Sequence, residues 1–186
     1  MEGRVRHLTM EELEAGLDDI RRSPKNEGAL ELIVRRPSLG ERESLTEGEL
    51  DVAQGLVGDT WSTRGSRRSK DGLAHPEMQI NVMNSRVIAL VAQERERWHL
   101  AGDQLFVDLD LSGENLPPGT RLAVGSAVIE VTLEPHTGCE KFVSRFGVDA
   151  MKFVNSPLGR QLNLRGINAK VVQPGVIRVR DLAKKL

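Results

Sequence analysis

Cys139 is the single cysteine among 186 residues, and its surroundings are those of a working thiol. It follows the tight Pro135-His136-Thr137-Gly138 segment and precedes Glu140-Lys141-Phe142, with Phe146 four residues beyond Phe142. Apolar residues at i and i+4 after a Pro/Gly turn predict a helix that starts just past the sulfur. The free backbone N–H groups and positive dipole end of such a helix favour thiolate over thiol. His136 and Lys141 lie close enough in sequence to assist, and Gly138 lets a ligand approach the backbone. One cysteine forms neither an internal disulfide nor a multi-cysteine zinc site. Working alone, it serves as a nucleophile, a sulfur carrier or a single soft metal ligand. The alternative reading, a small buried apolar side chain, stays open at this point.

Basic residues supply the second chemical signal. Arg64, Arg67, Arg68 and Lys70 stand in a stretch with almost nothing apolar, a surface loop by composition. Such a loop either grips a phosphate or is simply solvated. No aromatic residues interleave with these cations, so they do not read as a single-stranded nucleic-acid site. His75, before Pro76, lines a pocket or lies on the surface. Arg165 sits between a polar loop and the last pair of predicted strands, where it meets an anion near the cysteine turn or pairs with a carboxylate. His7 and His99 carry no signal. There is no Gly-x-x-x-x-Gly-Lys-Ser/Thr loop, no His-Glu-x-x-His and no Gly-x-Ser-x-Gly elbow. A thiol-dependent transferase or hydrolase remains a further reading, provided the fold brings a histidine to Cys139.

The elements that must position these groups are short. Thr9 and Glu12 form a capping box ahead of Leu13, Leu17 and Ile20, and Ser23-Pro24 ends that helix. Residues 29–34 read as a strand, 38–49 as polar loop and 78–83 as a strand. A helix capped by Ser85 runs on to about Trp98. Residues 104–111 alternate, placing Leu105, Val107, Leu109 and Leu111 on one face. Strands follow at 121–124 and 127–133, then helical pieces holding Phe142, Phe146, Ala150, Met151, Phe153 and Val154. A hairpin of 167–172 and 176–179 around Pro174-Gly175 ends the pattern. Short strands punctuated by Gly and Pro predict a mainly β fold, a small closed or nearly closed barrel with a few flanking helices. Residues 1–28 read as an N-terminal helical extension and 29–186 as the barrel domain.

Composition narrows the classes. The net charge of −1 offers no general basic excess for nucleic acid or an anionic membrane. No apolar run approaches the roughly 18 residues needed to span a bilayer, and the first 16 residues show no apolar signal segment. A cytoplasmic protein is expected.

Several segments, taken in order, resemble the MOSC family, the domain that forms the C-terminal part of molybdenum cofactor sulfurases. They are Gly55-Leu56-Val57-Gly58-Asp59, Gly113-Glu114-Asn115-Leu116, Val124-Gly125 with 127–132, Pro135 to Phe142 with Arg145-Phe146-Gly147, and Leu164-Arg165-Gly166-Ile167 with 172–177. The resemblance spans roughly residues 46–183. Thr60-Trp61 stand where many relatives carry a basic residue and a histidine, and Arg180-Asp181 where Gly-Asp is common. It implies a small β-barrel with flanking helices, of the pyruvate-kinase-barrel type. It also implies a molybdenum–pterin cofactor (molybdopterin), with Cys139 as metal ligand or persulfide carrier. Arg64, Arg67, Arg68 and Arg165 would hold the pterin phosphate, and His75, Asn115, His136 and Lys141 complete the candidate cofactor-binding set. Some members reduce N-hydroxylated bases and amidoximes. Here that would need an external electron donor or a sulfurtransferase partner, because no flavin, nicotinamide or iron–sulfur motif is visible. Pyridoxal phosphate belongs to a separate domain of full-length sulfurases, and no Schiff-base lysine motif stands in this chain. A non-catalytic cofactor chaperone, with the acidic helix of residues 9–22 as its docking element, is the alternative from a different class.

Overall fold

Seven strands cannot close into a ring by antiparallel pairing alone, because strand direction must return to itself after one circuit. The computed structural model, which describes residues 5–186, meets this constraint with one parallel pair. The chain begins with α1 (Met10–Ala15) and α2 (Leu17–Arg21), then β1 (Glu27–Arg35), β2 (Glu43–Leu45), β3 (Glu47–Asp51) and β4 (Gly55–Leu56). After a long loop come β5 (Ile80–Asn84), α3 (Ser85–Ala92), a 3-10 segment (Arg95–Ala101) and β6 (Leu105–Val107). β7 (Arg121–Val124) and β8 (Ala127–Val131) precede α4 (Glu140–Phe146), α5 (Val148–Asn155) and α6 (Pro157–Gln161). β9 (Ile167–Gln173), β10 (Gly175–Arg178) and β11 (Leu182–Lys185) end the chain. The ring runs β1-β11-β7-β8-β9-β5-β6 and back to β1. Every neighbour is antiparallel except β5 and β6, which are joined by the crossover that α3 supplies. β2 extends β1, and β10, β3 and β4 form a small separate sheet.

Alternation along the strands builds two cores. Ile33, Val82, Leu105 and Val107 point into the barrel with Leu30, Ile129, Ala169 and Val171. Their neighbours Val34, Met83 and Phe106 point outward, against Leu13, Leu17, Ile20, Val87, Trp98, Phe142, Phe146 and Phe153 of the helices. This part of the wall is buried on both faces, which is why these strands read as near-continuous apolar runs. Among the described residues, no helix is long and apolar enough to cross a membrane.

The barrel with its helices is as expected, and several local details differ. Residues 38–49 hold β2 and β3 rather than only loop; the one fully buried apolar side chain of β3 is Leu50, too little for a visible alternation. Asn84, not Ser85, caps α3, accepting from Arg86 N–H at 2.8 Å. That helix stops at Gln93 (φ 65°) instead of running to Trp98. β6 ends at Val107 because the backbone beyond it bonds elsewhere: Asn84 Nδ2 donates to Leu109 O (2.9 Å), and Asp110 N–H to Pro24 O (2.7 Å). Leu109 and Leu111 still reach the inner core. β9 and β10 are not a hairpin. β9 lies between β5 and β8, whereas β10 pairs with β3. Between them the chain steps across the β7–β8 turn, with Val176 N–H donating to Ser126 Oγ (2.8 Å) and Ser126 N–H to Val176 O (3.0 Å). β11, which closes the ring, carries one buried apolar side chain, Ala183, and has no sequence signature.

Candidate functional site

The turn before Cys139 is clamped from α5. Gly138 N–H donates to Asn155 Oδ1 (2.9 Å), and Asn155 Nδ2 donates back to Gly138 O (3.2 Å). A methyl group on Gly138 would lie 3.2 to 3.3 Å from Val154, Asn155 and Met151, so a larger residue would push the turn off α5. Cys139 is the N-cap of α4, with extended backbone (φ −130°, ψ 178°). Its carbonyl accepts from Phe142 N–H (2.9 Å) and Val143 N–H (3.1 Å). Its side chain makes no capping bond, and the residue is exposed. The fold therefore removes the buried-hydrophobe reading of this cysteine.

Behind the turn lies a buried polar cluster. Phe142 and Phe146 pack at 4.9 Å between ring centroids, and the Arg165 guanidinium sits 5.0 Å from the Phe142 ring. Arg165 Nη1 donates to Asp103 Oδ2 (2.7 Å) and Nη2 to Ala101 O (3.0 Å). The side chains of Arg165 and Asp103 are 7% and 0% exposed. On its other side Asp103 Oδ1 faces His136 Nδ1 at 3.4 Å. Asp103 Oδ1, His136 Nδ1 and Arg165 Nε are all buried without a hydrogen-bond partner among the described residues. Three orphaned polar atoms beside an exposed thiol are unusual, since buried polar groups are nearly always satisfied. Burial pushes the Asp103 carboxyl up, against the opposing pull of Arg165. Burial also pulls His136 well below the usual histidine range, helped by Arg165, Arg36 and Arg68. His136 is therefore neutral at pH 7.

A second buried pair continues the wall. Arg36 and Asp59, 6% and 0% exposed, meet at 2.6 Å. Asp59 also accepts from Arg36 N–H, Arg36 Nε, Trp61 N–H and Gln104 Nε2. Arg36 Nη1 reaches Asn81 Oδ1 (3.4 Å) and Gly102 O (3.3 Å). Asn81 Nδ2 donates to Asn168 Oδ1 (2.6 Å), whose amide donates to Glu134 O (3.1 Å) at the foot of the cysteine turn.

The sequence-derived candidates separate into groups. His136 and Arg165 belong to the buried cluster. Arg68 donates to Glu134 Oε2 (3.3 Å) and Pro135 O (3.4 Å), and His75 Nε2 lies 3.8 Å from Glu134, so both flank the same turn. Arg64 is exposed, near enough to Arg36 and Asp59 for its charge to feel theirs. Arg67 and Lys141 are exposed. Asn115 is held elsewhere: its amide donates to Lys25 O (2.9 Å) and Asp110 O (2.8 Å), and Lys185 Nζ donates to its Oδ1 (3.3 Å). The sequence did not single out Asp103, Arg36 or Arg42, and Arg145 stood in a quoted segment without a role. Asp59 stood in a quoted motif but without a partner, and Asp103 had only the preceding Gly102 helix stop as a signal.

The chain is thus a closed barrel of seven strands with helices packed on one side and an exposed cysteine on the turn that carries His136. The barrel fold is shared with solved structures. YuaD from Bacillus subtilis superposes with a TM-score of 0.58 at 16% identity, covering 84% of this chain and 94% of that one. YiiM from Escherichia coli gives 0.54 at 19%, covering 85% and 69%. YiiM from Geobacillus stearothermophilus gives 0.52 at 11%, covering 88% and 74%. No protein-family model and no curated protein matches the chain. At these identities the likeness is one of fold.

Proposed function

We propose that this chain is a MOSC-type protein that binds a molybdenum–pterin cofactor, with Cys139 as the metal ligand or as a persulfide carrier. The observation that carries the reading is the exposed Sγ at the N-terminus of α4, backed by a buried cluster with three unsatisfied polar atoms. The barrel shared with YuaD and YiiM and the ordered sequence segments support it. The donor set fits the group. Thiolate is a soft donor suited to such a metal. No group of three or more His, Cys, Asp or Glu among the described residues could hold a metal, so an ion at Cys139 must bring its remaining ligands with it, as a pterin-bound metal does. When bound, the cofactor supplies two-electron redox chemistry or a sulfur acceptor. The protein's own contribution is positional. Asn155 fixes the turn, Arg165 holds Asp103, whose free Oδ1 stands 3.4 Å from His136 Nδ1, and neutral His136 can take or give a proton at its second ring nitrogen. Arg64, Arg67 and Arg68 remain candidates for the pterin phosphate.

Reduction of an N-hydroxylated compound, with electrons from an external donor protein, is the enzymatic form of this function. The test is an amidoxime reductase assay on cofactor-loaded protein with a supplied electron donor. Turnover that disappears in Cys139→Ser supports the enzyme. Cofactor retention without turnover moves the assignment to a chaperone that carries the cofactor.

The approach of His136 to Asp103 favours one second reading, a thiol-dependent transferase or hydrolase with a histidine that faces a carboxylate. Metal-free protein would then form a covalent adduct at Cys139 with an activated ester and release it; absence of release removes this reading.

A further inference from the structure

On the far side of the Arg36–Asp59 pair, positive charge is left unbalanced. Arg42 is depressed below the ordinary arginine range, by burial first and then by the charges of Arg145, Arg36 and Arg64. Against them Arg42 feels the carboxylate of Asp59. A carboxylate offers about four lone-pair sites, and Asp59 already accepts from three Arg36 nitrogens, Trp61 N–H and Gln104 Nε2. It cannot also neutralise the others. Among the described residues Arg42 bonds only to Glu41 O (2.6 Å), with its buried Nε unpartnered, and the Arg145 guanidinium bonds to Leu100 O. Neither meets a carboxylate.

Both heads lie against Gly102. Gly102 has φ +87°, and the three heavy atoms nearest a methyl carbon placed on it are Arg42 Nη2 (3.5 Å), Arg42 Nε (3.8 Å) and Arg145 Nη1 (3.9 Å). At this left-handed glycine, two guanidinium heads converge to within 4 Å of one point. We propose that Arg42 and Arg145, with Arg64 at the rim, form an oxyanion site that takes a phosphate group. Paired guanidinium forks match a phosphate's oxygens and its double charge. Arg145 stands six residues along α4 from Cys139, about 9 Å by helical rise. The phosphate is either part of a ligand that also reaches Cys139 or a separate phosphate ester. The site rests on guanidinium geometry and stands whether or not Cys139 holds a metal.

The test is binding of inorganic phosphate to metal-free protein at constant ionic strength, with chloride as the control. Wild type and Cys139→Ser bind alike. Arg42→Gln weakens phosphate binding by about ten- to a hundredfold, the range for losing a hydrogen bond to a charged group. Arg42→Lys, which keeps charge without the fork, falls between. In phosphate-free chloride buffer Arg42→Gln is at least as stable as wild type, because repulsion is relieved; a structural role for Arg42 would lower its stability instead. No phosphate effect beyond chloride in wild type, or full binding retained by Arg42→Gln, overturns the site. Protein loaded with the pterin cofactor identifies the source. Continued phosphate binding assigns the site to a separate phosphate ester, and blocked binding assigns it to the cofactor's own phosphate.

Discussion

His136 is the residue whose surroundings make the sharpest physical demand. Its folded-state pKa lies well below the ordinary 6.5, with burial the main cause. The unfolded chain therefore takes up a proton near pH 6.5 that the folded chain refuses. Below that value the unfolded state binds more protons, so stability falls as the pH is lowered through 6.5. Asp103 acts with the opposite sign: its carboxyl is raised above 3.8, so its contribution declines as the pH rises from there. Denaturant unfolding of wild type and His136→Gln at pH 7.5 and 5.5 separates the two. Wild type loses stability at the lower pH, and the variant lacks that loss. An equal loss in both would mean that another group is responsible.

At the scale of elements, the capping of α1 is both legible and testable. Thr9 accepts from Glu12 N–H, and Glu12 Oε2 accepts from Thr9 N–H at 2.8 Å, the reciprocal pattern expected from Thr-x-x-Glu. Thr9→Ala costs about 1 kcal/mol, checked by chemical denaturation. Arg6 and Thr9 hold the Glu12 carboxyl at about 2 rather than 4.5. Its contribution is present above 4.5 and lost as the pH falls toward 2, read as fraying of α1 by hydrogen exchange.

The sequence was informative where one surface of an element decides its fate. Leu105 and Val107 alternate inward, and Phe142 and Phe146 repeat at helical spacing, so β6 and α4 were visible. It was silent where pairing is decided by distant partners. β3 and β11 present one buried apolar side chain each, and the step from β9 to β10 depends on the Gly125-Ser126 turn roughly 50 residues earlier. The candidate site divides in the same way. Cys139 stood out by type and His136 by adjacency, whereas Asp103, Arg36, Arg42 and Arg145 acquire meaning only when the barrel brings them together.

For the whole molecule, closure hangs on β11, which pairs with β1 on one side and β7 on the other. Removal of residues 182–186 opens the ring and exposes two strand edges. The truncated chain should lose its single cooperative unfolding transition or aggregate, as followed by circular dichroism on heating. Unchanged cooperative unfolding would show that the other pairings suffice. Closure also assembles the polar wall behind the Cys139 turn, from Arg36 just past β1, Asn81 of β5, Asn168 of β9 and Asp103 before β6. A barrel that opens should scatter that wall and lose any ligand held there.

The central proposal is that Cys139 holds molybdenum or sulfur. The direct measurement is molybdenum, pterin and persulfide content of protein purified from cells that make the cofactor, wild type against Cys139→Ser. Wild type should carry metal with pterin, or a persulfide removable by thiol reductant, and the variant should lose the metal or the sulfur while staying folded. Equal, near-zero molybdenum, pterin and persulfide in both, with cofactor plentiful in the cells, would contradict it.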